Sequence, residues 1–162
     1  QTGKQRSALD LLRRVSEQEL RSLLRAYGEE PMSGRIARVV HEARGRIRTT
    51  QDLAGAIRQV LPGRFVRRAL PRVFQALRIA VNDELRAVRM GLDAALDVLV
   101  RGGRLVTICY HSLEARLVKQ AFGSASTRLR VLTRKAVAPG SDEVRRNPRA
   151  RSARLRAAEV VG

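Results

Sequence analysis

Arg101-Gly102-Gly103-Arg104-Leu105-Val106-Thr107-Ile108-Cys109-Tyr110-His111-Ser112 is where the chain changes its grammar. Arg101-Gly102-Gly103 reads as a turn. Leu105 to Tyr110 is an unbroken apolar run with β-branched Val106, Thr107 and Ile108, the pattern of a strand buried on both faces, as in a parallel sheet. The run stops at His111-Ser112, and Ser112 can cap a helix from Leu113 to about Phe122. Strand, polar turn and helix in this order make an α/β unit.

Downstream, Leu129 and Val131 alternate with Arg130, and Ala153, Leu155 and Ala157 alternate with Arg154 and Arg156. Both read as strands suited to antiparallel pairing, separated by a loop from Pro139 to Pro148 with room for one helical turn near Asp142-Glu143. Upstream, everything reads as helix. Ala8, Leu9, Leu11 and Leu12 open a short one. Ser16 and Glu19 form a capping box ahead of Leu20, Leu23, Leu24 and Tyr27, with Gly28 as a C-cap. Ile36, Val39, Val40, Ala43 and Ile47 repeat the spacing with Ser33 as cap. Thr50 caps a helix carrying Leu53, Ile57, Val60 and Leu61, which Pro62-Gly63 ends. Phe74, Leu77, Val81, Leu85, Val88, Leu92, Leu96 and Leu99 form one apolar face, with a break expected at Gly91.

The chain has 162 residues and a net charge of +18, and 44% of it is hydrophobic, enough for a packed core. Of its 33 basic residues only Lys4, Lys119 and Lys135 are not Arg. Leu53 to Asn82 holds no acid but contains Arg58, Arg64, Arg67, Arg68, Arg72 and Arg78. A second basic cluster runs from Arg145 to Arg156. Such a field attracts a polyanion, and Arg forks match phosphate geometry; the competing reading is a merely solvated Arg-rich surface. Aromatics are 3%, which disfavours a module that stacks successive bases on rings. One cysteine and two histidines exclude a disulfide framework and a zinc site of the usual spacing; no metal is expected. No apolar run approaches the roughly 18 residues of a membrane span, and Gln1 to Arg6 has no secretory core. No Gly-x-Gly-x-x-Gly loop follows a strand, and Gly102-Gly103 precedes one, so the α/β part reads as incomplete.

Several blocks carry a resemblance. Phe74-Gln75-Ala76-Leu77-Arg78-Ile79-Ala80-Val81-Asn82-Asp83-Glu84-Leu85, then Gly102-Gly103-Arg104-Leu105 with His111-Ser112-Leu113-Glu114, then Asn147-Pro148-Arg149-Ala150-Arg151-Ser152-Ala153-Arg154-Leu155-Arg156, resemble the RsmH/MraW family. Its members are bacterial methyltransferases acting on the N4 of a cytosine in small-subunit ribosomal RNA. Ser7-Ala8, Asp10-Leu11-Leu12, Tyr27-Gly28-Glu29-Glu30, Arg35-Ile36-Ala37 and Thr49-Thr50 match in order upstream. Two blocks depart: Arg68-Ala69-Leu70-Pro71-Arg72 stands for a His-Pro-Ala-Thr-Arg-like run, and Ala115 follows Glu114 where the family has Asp.

The resemblance implies an α/β fold. Residues 1–88 would be a helical RNA-recognition insert. Residues 89–162 would be the C-terminal part of a class I, Rossmann-like methyltransferase sheet: a parallel strand, a helix and a terminal antiparallel pair. The N-terminal half of that sheet, with the glycine-rich S-adenosylmethionine loop, would lie outside this chain. The chain would then hold no cofactor-binding residues and be inactive alone. The implied partner is small-subunit ribosomal RNA, the implied location the cytoplasm, and a homodimer stays open.

His111 and Ser112, at the carboxyl end of the strand, are either a helix cap or a wall of the substrate pocket; the resemblance favours the pocket. Glu114 reads as a proton acceptor, an amide-binding carboxylate or a first-turn charge. None is assigned as the catalytic base. Asn82 is a buried hydrogen-bond hub or an RNA contact. Arg72 and Arg78 join Arg149, Arg151 and Arg154 as candidate RNA contacts, with a solvated edge as the alternative for the last three. Cys109 reads as core filler and His41 as a surface residue. The rival function is a non-catalytic basic RNA-binding protein.

Overall fold

Three hydroxyl–carboxylate pairs start helices in the first half of the chain. Ser7 accepts from the Asp10 amide at 3.1 Å and Asp10 Oδ2 accepts from Ser7 N at 3.1 Å. Ser16 and Glu19 repeat this reciprocal box, as do Thr49 and Asp52. Each pair satisfies amides that a helix start leaves orphaned. The caps expected at Ser33 and Thr50 shift by one: Met32 precedes α3 without a side-chain bond, and Thr49 caps α4. This is a computed structural model that describes residues 7–161.

The elements in order are α1 Ala8–Arg14, α2 Glu17–Gly28, α3 Ser33–Ala43, α4 Thr50–Val60, α5 Gly63–Asn82 and α6 Glu84–Val98. They continue with β1 Arg104–Cys109, α7 Ser112–Ser124, β2 Leu129–Val131, α8 Ser141–Arg146, a 3-10 turn Pro148–Ser152 and β3 Arg154–Val160. Among the described residues no helix is long and apolar enough to cross a membrane. Two compact units divide between Glu84 and Leu85.

In the helical unit, Leu20, Leu24, Ile36, Val40, Ile57, Val73, Ala76 and Leu77 form a continuous buried cluster. Helix α5 begins at Gly63, runs through exposed Pro71 and ends at Asn82. Its buried positions Val66, Ala69, Val73, Ala76 and Leu77 keep helical spacing across the proline, so packing overrides the local breaker. The break expected at Gly91 falls instead at Asp83, which adopts a left-handed φ of 50°. Gly91 lies exposed inside α6. Gly28 is not a left-handed cap; Glu29 takes that role, with φ 48°. A Cβ on Gly28 would lie 2.7 Å from the Arg72 carbonyl oxygen, so glycine here lets α2 approach α5.

In the second unit, β3 is the middle strand, antiparallel to β1 and to β2, in the order β1-β3-β2. Its neighbours therefore run in the same direction without touching. One sheet face buries Cys109, Leu129, Ala158 and Val160 against Leu92 of α6 and Val118 and Phe122 of α7. The other face leaves Val106 56%, Ile108 56% and Tyr110 57% exposed. Among the described residues, β1 pairs with β3, antiparallel, and Val106 and Ile108 on one of its faces are exposed, so within this chain the strand lacks the cover on both faces that its apolar run leads one to expect. Glu159 fastens the three strands: its Oε2 accepts from Arg104 of β1 at 3.0 Å and its Oε1 from Arg130 of β2 at 2.6 Å.

Candidate nucleic-acid interface

β1 delivers Tyr110, His111 and Ser112 to the end of the sheet where β3 begins. His111, not Ser112, is the N-cap of α7, a correction to the expected cap. Its Nδ1 accepts from the Glu114 amide at 3.4 Å, which leaves the proton of a neutral ring on Nε2. Nε2 lies 3.2 Å from Glu114 Oε1, at an ion-pair separation but without hydrogen-bond alignment. Glu114 Oε2 accepts from Tyr110 N at 3.0 Å. Imidazole and carboxylate thus clasp the turn, and both are mostly buried. Cys109, next to this clasp, is buried; desolvation, then the negative Glu114, push its thiol above the ordinary range. A thiol held protonated is a poor nucleophile, so Cys109 packs rather than reacts.

Facing the turn, the Pro148–Ser152 turn and the first residue of β3 present Arg151, Ser152 and Arg154. Together with Tyr110, His111, Ser112 and Ala115 they line a cleft of about 270 Å³. No carboxylate lines it. Arg154 Nη1 donates to the carbonyls of Ala153 at 2.7 Å and Arg151 at 3.4 Å, which fixes the guanidinium against the turn.

The structure thus brings His111 and Ser112 together with Arg151 and Arg154. Glu114 stands behind His111, outside the cleft lining, and Arg149 is exposed on the same turn but does not line it. Arg72, Arg78 and Asn82 belong to the helical unit, and each has an internal partner. Arg72 Nη1 lies 3.6 Å from Oε2 of Glu30, a carboxylate only 3% exposed. Arg78 forks onto Glu84 at 2.8 and 3.1 Å, and Asn82 Nδ2 donates to the same carboxylate at 3.2 Å. Asn82 is exposed, which corrects its expected burial. His41 is half-buried and contacts Arg44. Tyr110 and Ser152 were not singled out from sequence. Tyr110 continues the two-residue spacing of Val106 and Ile108, and that signal was available.

A larger cavity of about 460 Å³ lies within the helical unit, walled by Leu9, Leu12, Phe74, Leu77 and Val81. It is apolar, and two of its polar rim groups, Arg78 and Asn82, are tied to Glu84. Charge and chemistry therefore point to the smaller cleft.

A helical unit, a small mixed α/β unit and an acid-free basic cleft at the sheet's end agree with part of a methyltransferase fold. The model of the MraW methylase family matches residues 1–161. Similar proteins include the ribosomal RNA small subunit methyltransferase H of Chlorobium luteolum, 46% identical over 96% of this chain and 54% of the relative. Those of Gloeobacter violaceus and Thermotoga neapolitana are each 48% identical over 96% of this chain, covering 49% and 53% of their own lengths. The chain belongs to the MraW methylase family, and it spans about half the length of the curated relatives it matches.

Proposed function

We propose that this chain is the RNA-holding part of an S-adenosylmethionine-dependent methyltransferase that modifies the N4 amino group of a cytosine in small-subunit ribosomal RNA in the cytoplasm. Family membership supports methyl transfer, and the relatives' name supports ribosomal RNA as substrate. The observation that carries the RNA-holding role is the cleft where Arg151 and Arg154 face the His111–Ser112 turn with no acid in its lining.

The cytosine amine is a weak nucleophile because its lone pair is delocalised into the ring, so holding the base in line with the donor is a large share of catalysis. A base in folded RNA must leave its stack to react, and phosphate contacts fix the strand while it does. Arg149, Arg151 and Arg154 are the direct contacts in this reading. Arg72, Arg78 and Asn82 act through their partners Glu30 and Glu84 and shape the helical surface. S-adenosylmethionine would supply the methyl group, and this reading takes its glycine-rich loop to belong to the part of the family's sheet that this chain does not match. The turn after β1 is Tyr110-His111-Ser112, and Gly102-Gly103 close the turn before it, with Gly102 N bonded to Val160 O at 2.8 Å. The share of the reaction read from this chain is therefore RNA binding and orientation, and the isolated chain should not bind the donor tightly.

Nucleoside mass spectrometry of small-subunit ribosomal RNA from cells lacking the gene tests the reading. Loss of one N4-methylated cytidine, restored by the gene, is expected; unchanged modification would overturn it. The rival, a non-catalytic RNA-binding relative, draws on the Glu114 carboxylate, whose Oε2 already accepts from the Tyr110 amide. It predicts RNA binding with intact modification in the deleted strain.

A further inference from the structure

We infer that the cleft between Tyr110–Ala115 and Arg151–Arg154 is a single-phosphate subsite: it takes one phosphodiester of the RNA strand, Arg149 stands beside it on the same turn, and the chain's remaining arginines supply a diffuse field. The inference rests on the RNA-holding reading and deepens it.

The chain carries a large excess of arginine, so charge alone cannot say which arginines touch phosphate. The structure separates several of them. Arg72 and Arg78 are each paired with a carboxylate, and Arg104 and Arg130 share that of Glu159. Arg145 is paired with Asp142. Arg58 of α4 and Arg64, Arg67 and Arg68 of α5 stand exposed on their helices. Arg151 and Arg154 differ from all of these. Among the described residues neither meets a carboxylate, and both line a concavity.

The rest of the lining is chemically matched to a phosphodiester. Ser112 and Ser152 bring hydroxyls, and Tyr110 brings a phenol. Arg154 is held in place by the carbonyls of Ala153 and Arg151, so little rotamer freedom remains to be lost when an anion arrives. The cleft volume of about 270 Å³ is ample for a phosphate and its ester oxygens.

The positive end of α7 does not make the site. Glu114 already sits there, with its carboxylate on the Tyr110 amide and beside His111. That negative charge stands behind the imidazole and opposes an anion. The two arginines on the far wall outweigh it.

The test uses fluorescence anisotropy of this chain with a labelled single-stranded RNA of about 15 nucleotides, titrated at several salt concentrations. Compared are wild type, Arg151→Gln, Arg154→Gln and the charge-matched control Arg58→Gln. Losing one phosphate contact should lower the slope of log K against log salt by about 0.7 and weaken binding about tenfold at low salt. Arg58→Gln should weaken binding less than twofold and leave the slope unchanged. Arg151→Lys should restore most of the slope but less of the affinity, since Lys keeps the charge and loses the fork.

Scanning the RNA with one uncharged methylphosphonate linkage should reveal a position that costs wild type about tenfold and Arg151→Gln almost nothing. If wild type binds RNA with a steep salt slope but Arg151→Gln and Arg154→Gln behave like Arg58→Gln, the subsite is wrong and the RNA-holding reading survives. If wild type binds no RNA, both fall. Circular dichroism of each variant checks that the fold is kept, and Arg151, exposed on its turn, should tolerate the change.

Discussion

Replacing Gly28 with alanine should destabilise the helical unit even though alanine is the better helix former. Gly28 ends α2 and is buried against α5. An added methyl carbon would lie 2.7 Å from the Arg72 carbonyl oxygen and 3.3 Å from Ala76 Cβ. Comfortable carbon–oxygen contact begins at about 3.3 Å, so the helices must part by roughly half an ångström. The obstacle is backbone in the middle of a 20-residue helix, which cannot swing away as a side chain could. Overpacking of this kind costs about 1–3 kcal/mol. Alanine's helix preference returns at most about 1 kcal/mol, and less at a final helical position. The expected net loss is about 1–2 kcal/mol. Urea unfolding followed by circular dichroism should show a midpoint lowered by roughly 1 M with an unchanged slope. Adding Ala76→Gly should recover little, because it relieves the 3.3 Å contact and leaves the backbone one. A Gly28→Ala protein as stable as wild type would refute the claim that close helix approach selects glycine here.

Glu159 is held below the ordinary carboxylate range chiefly by the hydrogen bond from Arg104, with Arg130 adding to it. A folded-state value below the unfolded one stabilises above the unfolded value, and that stability is lost as pH falls from about 4.5 through the lower folded value. Urea midpoints measured from pH 6 to pH 3 should fall less steeply for Glu159→Gln than for wild type. Asp10, Glu19 and Asp52, lowered mainly by bonds from Ser7, Ser16 and the Arg48 and Thr49 amides, leave a residual acid dependence of the same sign. A double-mutant cycle on Arg78→Ala and Glu84→Gln should give a coupling of about 0.5–1 kcal/mol. The fork is bidentate, but Arg78 is 57% exposed, and water screens the pair. Glu30→Ala removes the acceptor 2.9 Å from the Met32 amide at the start of α3 and should cost about 1–2 kcal/mol in a denaturation series. Glu30→Gln, which keeps an acceptor oxygen, should cost less.

Local patterns were the legible part of this fold. The Ser16–Glu19 box, the helical spacing of Leu20, Leu24, Ile36, Val40 and Ile57, and the strand–turn–helix around His111 all stand in the structure. The caps at Thr49 and His111 were each misread by one residue, because a second capable side chain sits beside the true cap. The break at Asp83 carries no compositional mark: the left-handed residue is not a glycine, and the glycine nearby is helical. Strand order was not legible, because it depends on pairing between residues 55 apart. The candidate site was legible by residue type and by family block, but not by environment. Nothing in the sequence separates Arg72 and Arg78, each facing a carboxylate, from Arg151 and Arg154, which face none among the described residues.

The middle strand of the sheet is also the one nearest the C-terminus. As the chain leaves the ribosome, the helical core can close once α5 has emerged, because all its partners precede Asn82. Among the described residues β1 and β2 pair with Arg154–Val160, so these pairings form only once it has appeared. Synthesis thus lets the helical core close before the pairings made by β3 can form. The same dependence applies to the finished protein. A proteolytic cut in the exposed stretch near Asn147, followed by release of the fragment beyond it, would remove the shared partner of both other strands. The described strands β1 and β2 would then lose the pairing they share, rather than fray at an edge.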